Sequence, residues 1–293
     1  MSATVETSFF FMLVLFLVQL LVASRGDREP LFQACVEECL ANDIPSIFLW
    51  TPKETCDYDC MWQLVHIKQK KDEPIEQYYG KWPFYRIWII QEPMSTLFSF
   101  LNLSIQLRYL NAFNPKWEYS RDMNLFVILQ ILTWLASMSL HTISNDLTER
   151  LDYFSAGFVV VYGMYIVCIF LFKMSRLVFI PFSLLFAYYV NFQLERSGLD
   201  YGLHMLIFSV IGAVHNLIWF INGLVVNKPH ALKSGFGAIF TLVCLGLLEW
   251  MDFAFVGYLD AHALWHLSTV FVAKYFYDYW LFEQNQALRF KQK

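Results

Sequence analysis

Charged residues are scarce in this chain of 293 residues, at 16%, against about 25% in ordinary soluble domains. There is no basic excess either, because the formal net charge is -4, and a nucleic-acid-binding protein needs a face rich in Lys and Arg. Glycine and proline are few, at 12 and 9 residues, which argues against collagen and low-complexity linkers. Nucleic-acid binding, disorder and a soluble globular fold are therefore disfavoured.

Apolar residues dominate instead, with 57% hydrophobic and 19% aromatic side chains. After a polar stretch there are seven apolar segments, at 94–112, 124–141, 152–172, 177–190, 203–226, 236–256 and 260–282. Most approach the roughly 20 residues that a helix needs to cross the hydrocarbon core. Backbone polar groups inside lipid must be paired within the chain, so these segments are expected to be helices. The predicted fold class is an all-α membrane protein, a seven-transmembrane helix bundle with a small N-terminal Cys-containing lumenal segment.

The N-terminus has the pattern of a signal peptide. An apolar run at 9–22 is followed by small residues at a cleavage spacing. Residues 1–8 contain no Lys or Arg, so an uncleaved anchor is the alternative. Lys and Arg are concentrated in the loops after the first, third and fifth segments and in the C-terminal tail, which the positive-inside rule assigns to the cytosol. The N-terminus is then lumenal and the C-terminus cytosolic.

These patterns divide the chain into four parts. They are a signal peptide at 1–24, a lumenal disulfide-containing segment at 25–92, the seven-helix transmembrane domain at 93–283 and a cytosolic tail at 284–293. The sequon at 102–104 lies within the first apolar segment, where a glycosylation enzyme would not reach it. This division alone indicates no function, which depends on the polar residues that the segments contain.

Four of the six cysteines fall in the lumenal segment as two Cys-x3-Cys pairs, Cys35/Cys39 and Cys56/Cys60. In an oxidising compartment they predict two disulfides, and the sequence leaves three connectivities open. A tetrahedral zinc site is the alternative, although four reduced thiolates suit the cytosol better. The remaining two, Cys168 and Cys244, lie inside apolar segments, where they are expected to be small buried hydrophobic residues.

Five polar residues within or beside the apolar segments have one predicted height in the membrane. The second segment rises towards the lumen, which places Ser137 and His141 near its lumenal end, one turn apart. The third and seventh segments descend, which places Asp152 near the top of one and His262 and His266 near the top of the other. Ionisable side chains are costly in a bilayer and imply a partner or a function.

This set predicts a zinc centre. Two histidines four residues apart on a helix direct two imidazoles at one point, and His141 completes the three-nitrogen set of catalytic zinc, with a fourth position for water. The acid Asp152 is the candidate to accept a proton from that water, and Ser137 to hydrogen-bond the water or the oxyanion. Two alternatives apply to the whole set: a structural polar network without a metal, and a Ser-His-Asp triad, which would leave His262 and His266 unused. For Ser137 alone, the alternative is a hydroxyl that hydrogen-bonds a carbonyl of its own helix.

Four further acids are candidates for the second shell or the pocket: Asp146, Glu249, Asp252 and Asp260. For Asp146 the alternative is a solvated loop acid, and for Asp260 it is an N-cap of the last helix. A histidine in the middle of the fifth segment, His215, is expected to have a hydrogen-bonded packing role.

The site residues together resemble a known signature. The Ser137-x3-His141 pair, Asp152 eleven residues further on and His262-x3-His266 are similar to the signature of the CREST superfamily of intramembrane hydrolases, which includes alkaline ceramidases and the progestin and adiponectin receptors. Other motifs are similar to one branch, the post-GPI-attachment-to-proteins factor 3 family. They are GDREP at 26–30, CDYDCMW at 56–62, GKWPF at 80–84, QEP at 91–93, DLTERLDYF at 146–154 and LDAHALWHLST at 259–269.

The resemblance implies a zinc-dependent intramembrane ester hydrolase of the phospholipase A2 type. Its substrates would be GPI-anchored proteins, from whose anchors it would remove the sn-2 acyl chain during lipid remodelling. By the same resemblance His141, His262 and His266 correspond to the zinc ligands, Asp152 to the water-activating acid and Ser137 to the oxyanion or water partner. The implied location is the Golgi membrane, with the endoplasmic reticulum membrane as the alternative.

Two other functions are compatible with the same residues. A ceramidase-like amidase would use the same metal chemistry on a different lipid, and a receptor or escort would use the zinc for structure only, since kinship of fold does not establish function. Members of the family carry further lumenal cysteines, so the resemblance does not transfer a disulfide pairing to this chain.

Overall fold

The computed structural model describes residues 25–42, 50–196 and 198–291. The predicted signal peptide lies outside the described residues and stays a prediction. The described chain forms two compact units, one made of the residues up to Ile89 together with Asp252–Asp260, and the other made of Ile90–Met251 and the residues from Ala261 onwards.

The first unit is built on two helices joined by disulfides. Both helices, α1 (Pro30–Leu40) and α2 (Pro52–Lys70), begin with proline, whose fixed φ suits the first helical position. A capping box starts α2, in which Thr51 accepts from the backbone of Glu54 and the Glu54 carboxylate accepts from the backbone of Thr51. The starts of both helices are thus fixed by local sequence.

The predicted disulfides are confirmed, and the structure selects one connectivity. Cys35 pairs with Cys60 and Cys39 with Cys56, with Cα–Cα distances of 5.8 and 5.7 Å. The two cysteines of each helix are one turn apart, so antiparallel helices bring both pairs into register. The two other cysteines carry free thiols. Cys168 is buried, as predicted, whereas Cys244 is only half-buried. The bridges lie in a small core that includes Phe32, Val36, Trp62, Leu64, Val65 and Tyr78.

A short hairpin completes this unit. Strands β1 (Ala254–Phe255) and β2 (Leu259–Asp260) pair antiparallel. At Gly257, where φ is +90°, an added Cβ would lie 2.4 Å from the Tyr85 ring, so the turn requires glycine. The prediction that the sixth apolar segment extends to residue 256 is therefore wrong. Its helix ends at Met251, because the apolar residues that follow pair as strands.

The second unit is a helix bundle. Within the described part of residues 90–291 it contains seven helices: α3 (Pro93–Arg108), α4 (Ser120–Thr142), α5 (Asp146–Phe170), α6 (Phe179–Leu194), α7 (Tyr201–Val226), α8 (Pro229–Met251) and α9 (Ala261–Phe290). They follow the predicted order. The helix α5 starts six residues earlier than predicted, because Asn145 caps it by accepting from the backbone of Leu147 and Thr148.

Five of the described helical stretches are long and apolar enough to cross a membrane. They are α4, α5, α7, residues Pro229–Leu248 of α8, and Arg176–Leu194, in which a 3₁₀ turn at Arg176–Val178 extends α6. The chain is therefore an all-α, multi-pass membrane protein. Two helices fall outside that group for a physical reason. The 16-residue α3 carries the buried polar residues Ser99, Asn102 and Gln106, and the 30-residue α9 carries two histidines and several charges. A count of seven spans and a lumenal N-terminus stay predictions.

Helix contacts decide which polar residues meet. The helix α3 packs against both α4 and α9, α4 packs against α5, and α8 packs against α7 and α9. A core of aromatic side chains surrounds Trp219 and Trp280, which are 1% and 0% exposed. His215 has the packing role expected of it, since its Nε2 accepts from Trp219 Nε1 at 2.9 Å. The polar faces of α3, α4 and α9 thus come together.

Candidate metal centre

Three histidines converge where α4 and α9 approach each other. The Nε2 atoms of His262 and His266 are 2.9 Å apart, and one ligand nitrogen from each of the three histidines lies within 4.8 Å of the others. The side chains of His141 and His266 are 3% and 4% exposed, and His262 is half-buried. The structure thus brings together the three imidazoles that the sequence analysis selected.

The three histidines fit a zinc ion. Bonds of 2.0–2.1 Å in a tetrahedron put neighbouring ligand nitrogens about 3.3 Å apart, close to the 2.9 Å between His262 and His266 and below the 4.8 Å limit that holds for the set. Three imidazole nitrogens also suit zinc better than magnesium or calcium, which prefer oxygen. The donor set is therefore that of a candidate catalytic zinc centre.

A carboxylate that the sequence analysis did not select orients His141. The Nδ1–H of this histidine donates to Glu92 Oε2 at 2.8 Å, and Glu92 is only 5% exposed. The backbone N–H of Glu92 also donates to the carbonyl of His141 at 2.9 Å. A carboxylate on Nδ1 fixes the tautomer and directs the Nε2 lone pair at the metal. The sequence signal was weak, an acid placed directly before Pro93 at the predicted height of the histidines.

A pair of serines supports His266. The Ser99 hydroxyl lies 3.0 Å from the Ser137 hydroxyl and 3.4 Å from His266 Nδ1, and the two serines are 0% and 2% exposed. This contact joins α3, α4 and α9 at one layer. The predicted residue Ser137 is thus next to the centre through Ser99, a residue that sequence reasoning missed because serine on an apolar helix carries no distinctive pattern.

The turn of α9 that carries His266 is held by Asn102. Its Nδ2 donates to the carbonyl of His266 at 2.8 Å, and its Oδ1 accepts from the Thr269 hydroxyl at 3.1 Å. The asparagine is 0% exposed, which puts it out of reach of a glycosylation enzyme. That this sequon lies within a membrane span stays a prediction, because α3 is not among the candidate spans.

The other predicted site residues have varied positions. Asp152 lies half-buried in the second turn of α5, and Asp146 is exposed in its first turn. In the first unit the Asp252 carboxylate accepts from Trp82 Nε1 at 3.0 Å and from Gln77 Nε2 at 2.9 Å, which gives it a structural role. Asp260 is buried and directly precedes α9, and the side chain of Glu249 lies outside the described part of the chain. A catalytic role for Asp152 stays a prediction.

The chain is similar in sequence to one family of proteins. The model of the Per1-like family matches residues 44–284. A GPI-specific phospholipase A2-like PGAP3 of Xenopus tropicalis is 34% identical over 295 residues, which covers 91% of this chain and 92% of the relative. The protein of that name in Homo sapiens is 30% identical, over 87% of this chain and 88% of the relative.

Post-GPI attachment to proteins factor 3 of Drosophila melanogaster is 30% identical, over 89% of this chain and 90% of the relative. No solved structure matches the chain.

Proposed function

The chain belongs to the Per1-like family, and on that basis we propose that it is a hydrolase that removes the sn-2 acyl chain from the GPI anchors of GPI-anchored proteins. The observation that carries the proposal is the buried cluster of His141, His262 and His266, oriented by Glu92 within a helix bundle. The names of the relatives supply the substrate class, and the cluster supplies a reason for hydrolysis. The proposal therefore combines family and site.

Zinc is the proposed cofactor, held by Nε2 of His141, His262 and His266. When bound, it supplies an acidified water and polarises an ester carbonyl. The chain itself orients the ligands, since Glu92 accepts from Nδ1 of His141 and Ser99 contacts Nδ1 of His266. Both contacts leave Nε2 as the coordinating nitrogen. His141 and His266 are buried and pre-oriented, which reduces the cost of assembling the centre.

Proton transfer is assigned to Asp152 and oxyanion stabilisation to Ser137. The water oxygen bonds to the carbonyl carbon of the sn-2 ester while Asp152 accepts the water proton. The bond from that carbon to the glycerol oxygen then breaks, and Asp152 returns the proton to the departing alkoxide. The products are a free fatty acid and a lyso-GPI anchor. The Ser137 hydroxyl donates to the oxygen that carries negative charge between the two steps.

The setting suits a lipid substrate. His141 lies on α4, which is apolar enough to cross a membrane, and α9, which carries the other two histidines, packs against α8, another such helix. An ester bond at the end of an acyl chain would then reach the histidines without leaving the bilayer. We place the site on the lumenal side from the distribution of Lys and Arg, and the protein in the Golgi membrane, with the endoplasmic reticulum as the alternative. GPI-anchored proteins face the lumen in both compartments.

The test is a lipid analysis of GPI anchors from cells that lack this protein and are rescued with variants. The wild type should restore loss of the unsaturated sn-2 chain, whereas His262→Ala and Asp152→Asn should be expressed and localised normally but restore nothing. His230→Ala is the matched control, because His230 is exposed and stacks on Phe282. This variant should rescue fully.

Two results would count against the hydrolase. Full rescue by His262→Ala would remove the histidine cluster from the reaction and favour an escort, especially if changes in the disulfide-bonded unit abolish rescue. Purified wild-type protein that releases fatty acid from ceramide, but not from GPI anchors, would favour the amidase.

A further inference from the structure

Two tryptophans contact the histidines of α9, and neither indole N–H has a hydrogen-bond partner among the described residues. The ring centroids of Trp134 and His266 are 5.4 Å apart in an edge-to-face arrangement, and those of Trp265 and His266 are 5.2 Å apart. Both Nε1 atoms are buried. Buried donors are almost always satisfied in native proteins, so each exception needs an explanation.

Of the two, Trp134 belongs to the face of α4 that forms the site. It precedes Ser137 by three residues and His141 by seven, and these spacings place all three side chains on one side of a helix. Its contact with His266 on α9 shows that this side faces the histidine cluster. The side chain is 9% exposed. Trp265, which directly precedes His266 along α9, is only half-buried.

The chemistry of an indole limits what Trp134 can bind. Its Nε1–H is a donor only, with no lone pair for a metal or a proton. It therefore needs an acceptor, and the acceptor that ester hydrolysis brings to this layer is the carbonyl oxygen of the substrate. That oxygen gains negative charge when the water oxygen bonds to the carbonyl carbon, and neutral, preorganised N–H donors are the usual groups that stabilise it.

We propose that Trp134 is a catalytic residue whose indole N–H donates to the carbonyl oxygen of the scissile sn-2 ester, alongside the Ser137 hydroxyl. The inference rests on the proposed esterase function and adds a residue to it. The donor bonds more strongly to the oxyanion than to the ester, so its contribution is made in the transition state. The ring itself supplies apolar surface beside the ester.

The test compares Trp→Phe substitutions, which keep an aromatic ring and remove the N–H. Full-length protein loaded with zinc is assayed in detergent micelles with a purified GPI-anchored protein, and released fatty acid is measured by mass spectrometry. Trp134→Phe should lower kcat by about 10²-fold and change KM by less than about threefold, which is the pattern of an interaction made only in the transition state. Zinc content and melting temperature should be unchanged.

The matched control is Trp280→Phe. The Nε1 of Trp280 is likewise buried without a partner in the described chain, but the residue is fourteen positions from His266 along α9. This variant should keep the wild-type kcat. An equal fall in kcat for both variants, or for Trp134→Phe and Trp265→Phe alike, would show a general packing effect and overturn the assignment.

The remaining outcomes separate this inference from the function on which it rests. Wild-type protein that releases no fatty acid contradicts the proposed function. If the wild type is active and Trp134→Phe has the same kcat as the wild type, or differs from it in KM alone, only the role of Trp134 is overturned.

A second measurement serves if Trp134→Phe loses zinc or unfolds. Wild-type protein labelled at the indole nitrogens is titrated with a trifluoromethyl ketone analogue of a diacyl lipid, whose hydrate imitates the tetrahedral intermediate. One Trp N–H resonance should move downfield as a hydrogen bond forms. Titration to saturation without movement of any indole resonance would overturn the proposal.

Discussion

Removing the carboxylate of Glu92 should weaken zinc binding without removing a zinc ligand. The Glu92 Oε2 to His141 Nδ1 distance is 2.8 Å, and the two residues are 5% and 3% exposed, so little water is present to replace the lost acceptor. Loss of such a partner typically lowers metal affinity by about 10–100-fold, or about 1.4–2.7 kcal/mol. In Glu92→Ala we expect the dissociation constant for zinc to rise by that factor.

The conservative substitution separates charge from geometry. Glu92→Gln keeps a side-chain oxygen that accepts from Nδ1, so it should retain the orientation of the ring and lose only the charge. Because charge-assisted hydrogen bonds are roughly twice as strong as neutral ones, the affinity of Glu92→Gln should lie between those of the wild type and Glu92→Ala.

Zinc affinity is measured by competition with a chromophoric chelator on purified protein, and folding by its melting temperature in the presence of excess zinc. Glu118→Gln, which changes an exposed acid, is the control and should bind zinc as the wild type does. Zinc affinity of Glu92→Ala equal to that of the wild type would refute the reasoning, because His141 would then need no carboxylate to act as a ligand.

Four further predictions concern other parts of the molecule. Digestion without reduction should yield peptides joined as Cys35–Cys60 and Cys39–Cys56, and any other pairing would contradict the antiparallel register of the two helices. The double variant Cys39→Ser/Cys56→Ser should lose about 3 kcal/mol of stability, because its disulfide joins cysteines 17 residues apart. Asp252→Ala should destabilise the protein by about 0.5–1.5 kcal/mol through loss of the bonds from Trp82 and Gln77, because Asp252 is exposed and water replaces part of what is lost. A melting curve would show this loss, and wild-type stability would contradict the structural role. Burial, and to a smaller extent the nearby Glu29 and Glu76, raises the pKa of Tyr78 above its usual value. Folding therefore favours the neutral phenol, and the free energy of unfolding should fall as pH rises above about 10. Tyr78→Phe should lose less stability than the wild type over this alkaline range, and identical pH profiles of stability would argue against the effect. Protein from a eukaryotic host should keep its electrophoretic mobility after endoglycosidase treatment, because Asn102 is 0% exposed; a shift abolished by Asn102→Gln would disprove its burial.

Local sequence patterns were sufficient to predict the class of protein and the order of its main helices. Hydropathy is a sum over neighbouring residues, and a helix in lipid satisfies its own backbone, so the apolar segments predicted the helices of the bundle in the right order. The pattern was insufficient at residues 252–256, because the apolar run Phe253 to Val256 has the same hydropathy in a helix as in a strand. The positive φ of Gly257 and the bonds of Asp252 decide the matter, and both depend on distant residues.

The candidate site shows the same division. The i, i+4 spacing of His262 and His266 could be recognised in the sequence because a helix converts spacing into direction. The supporting residues Ser99 and Asn102 could not, since serine or asparagine on a helix is ordinary in any sequence. Glu92 belongs to the QEP motif at 91–93, but its spacing along the chain does not connect it with His141. All three acquire their roles only when α3 packs against both α4 and α9.

The sequence by itself determined that this is a multi-pass helical membrane protein with an imidazole cluster and two cysteine pairs, since composition, hydropathy and helical spacing are properties of neighbouring residues. The tertiary structure alone decided which cysteines are bonded, that Glu92 rather than another acid holds His141, and that residues 252–260 join the disulfide-bonded unit. These are pairings between distant parts of the chain. Their partners are chosen by the packing of whole helices, for which no short stretch of sequence carries the information.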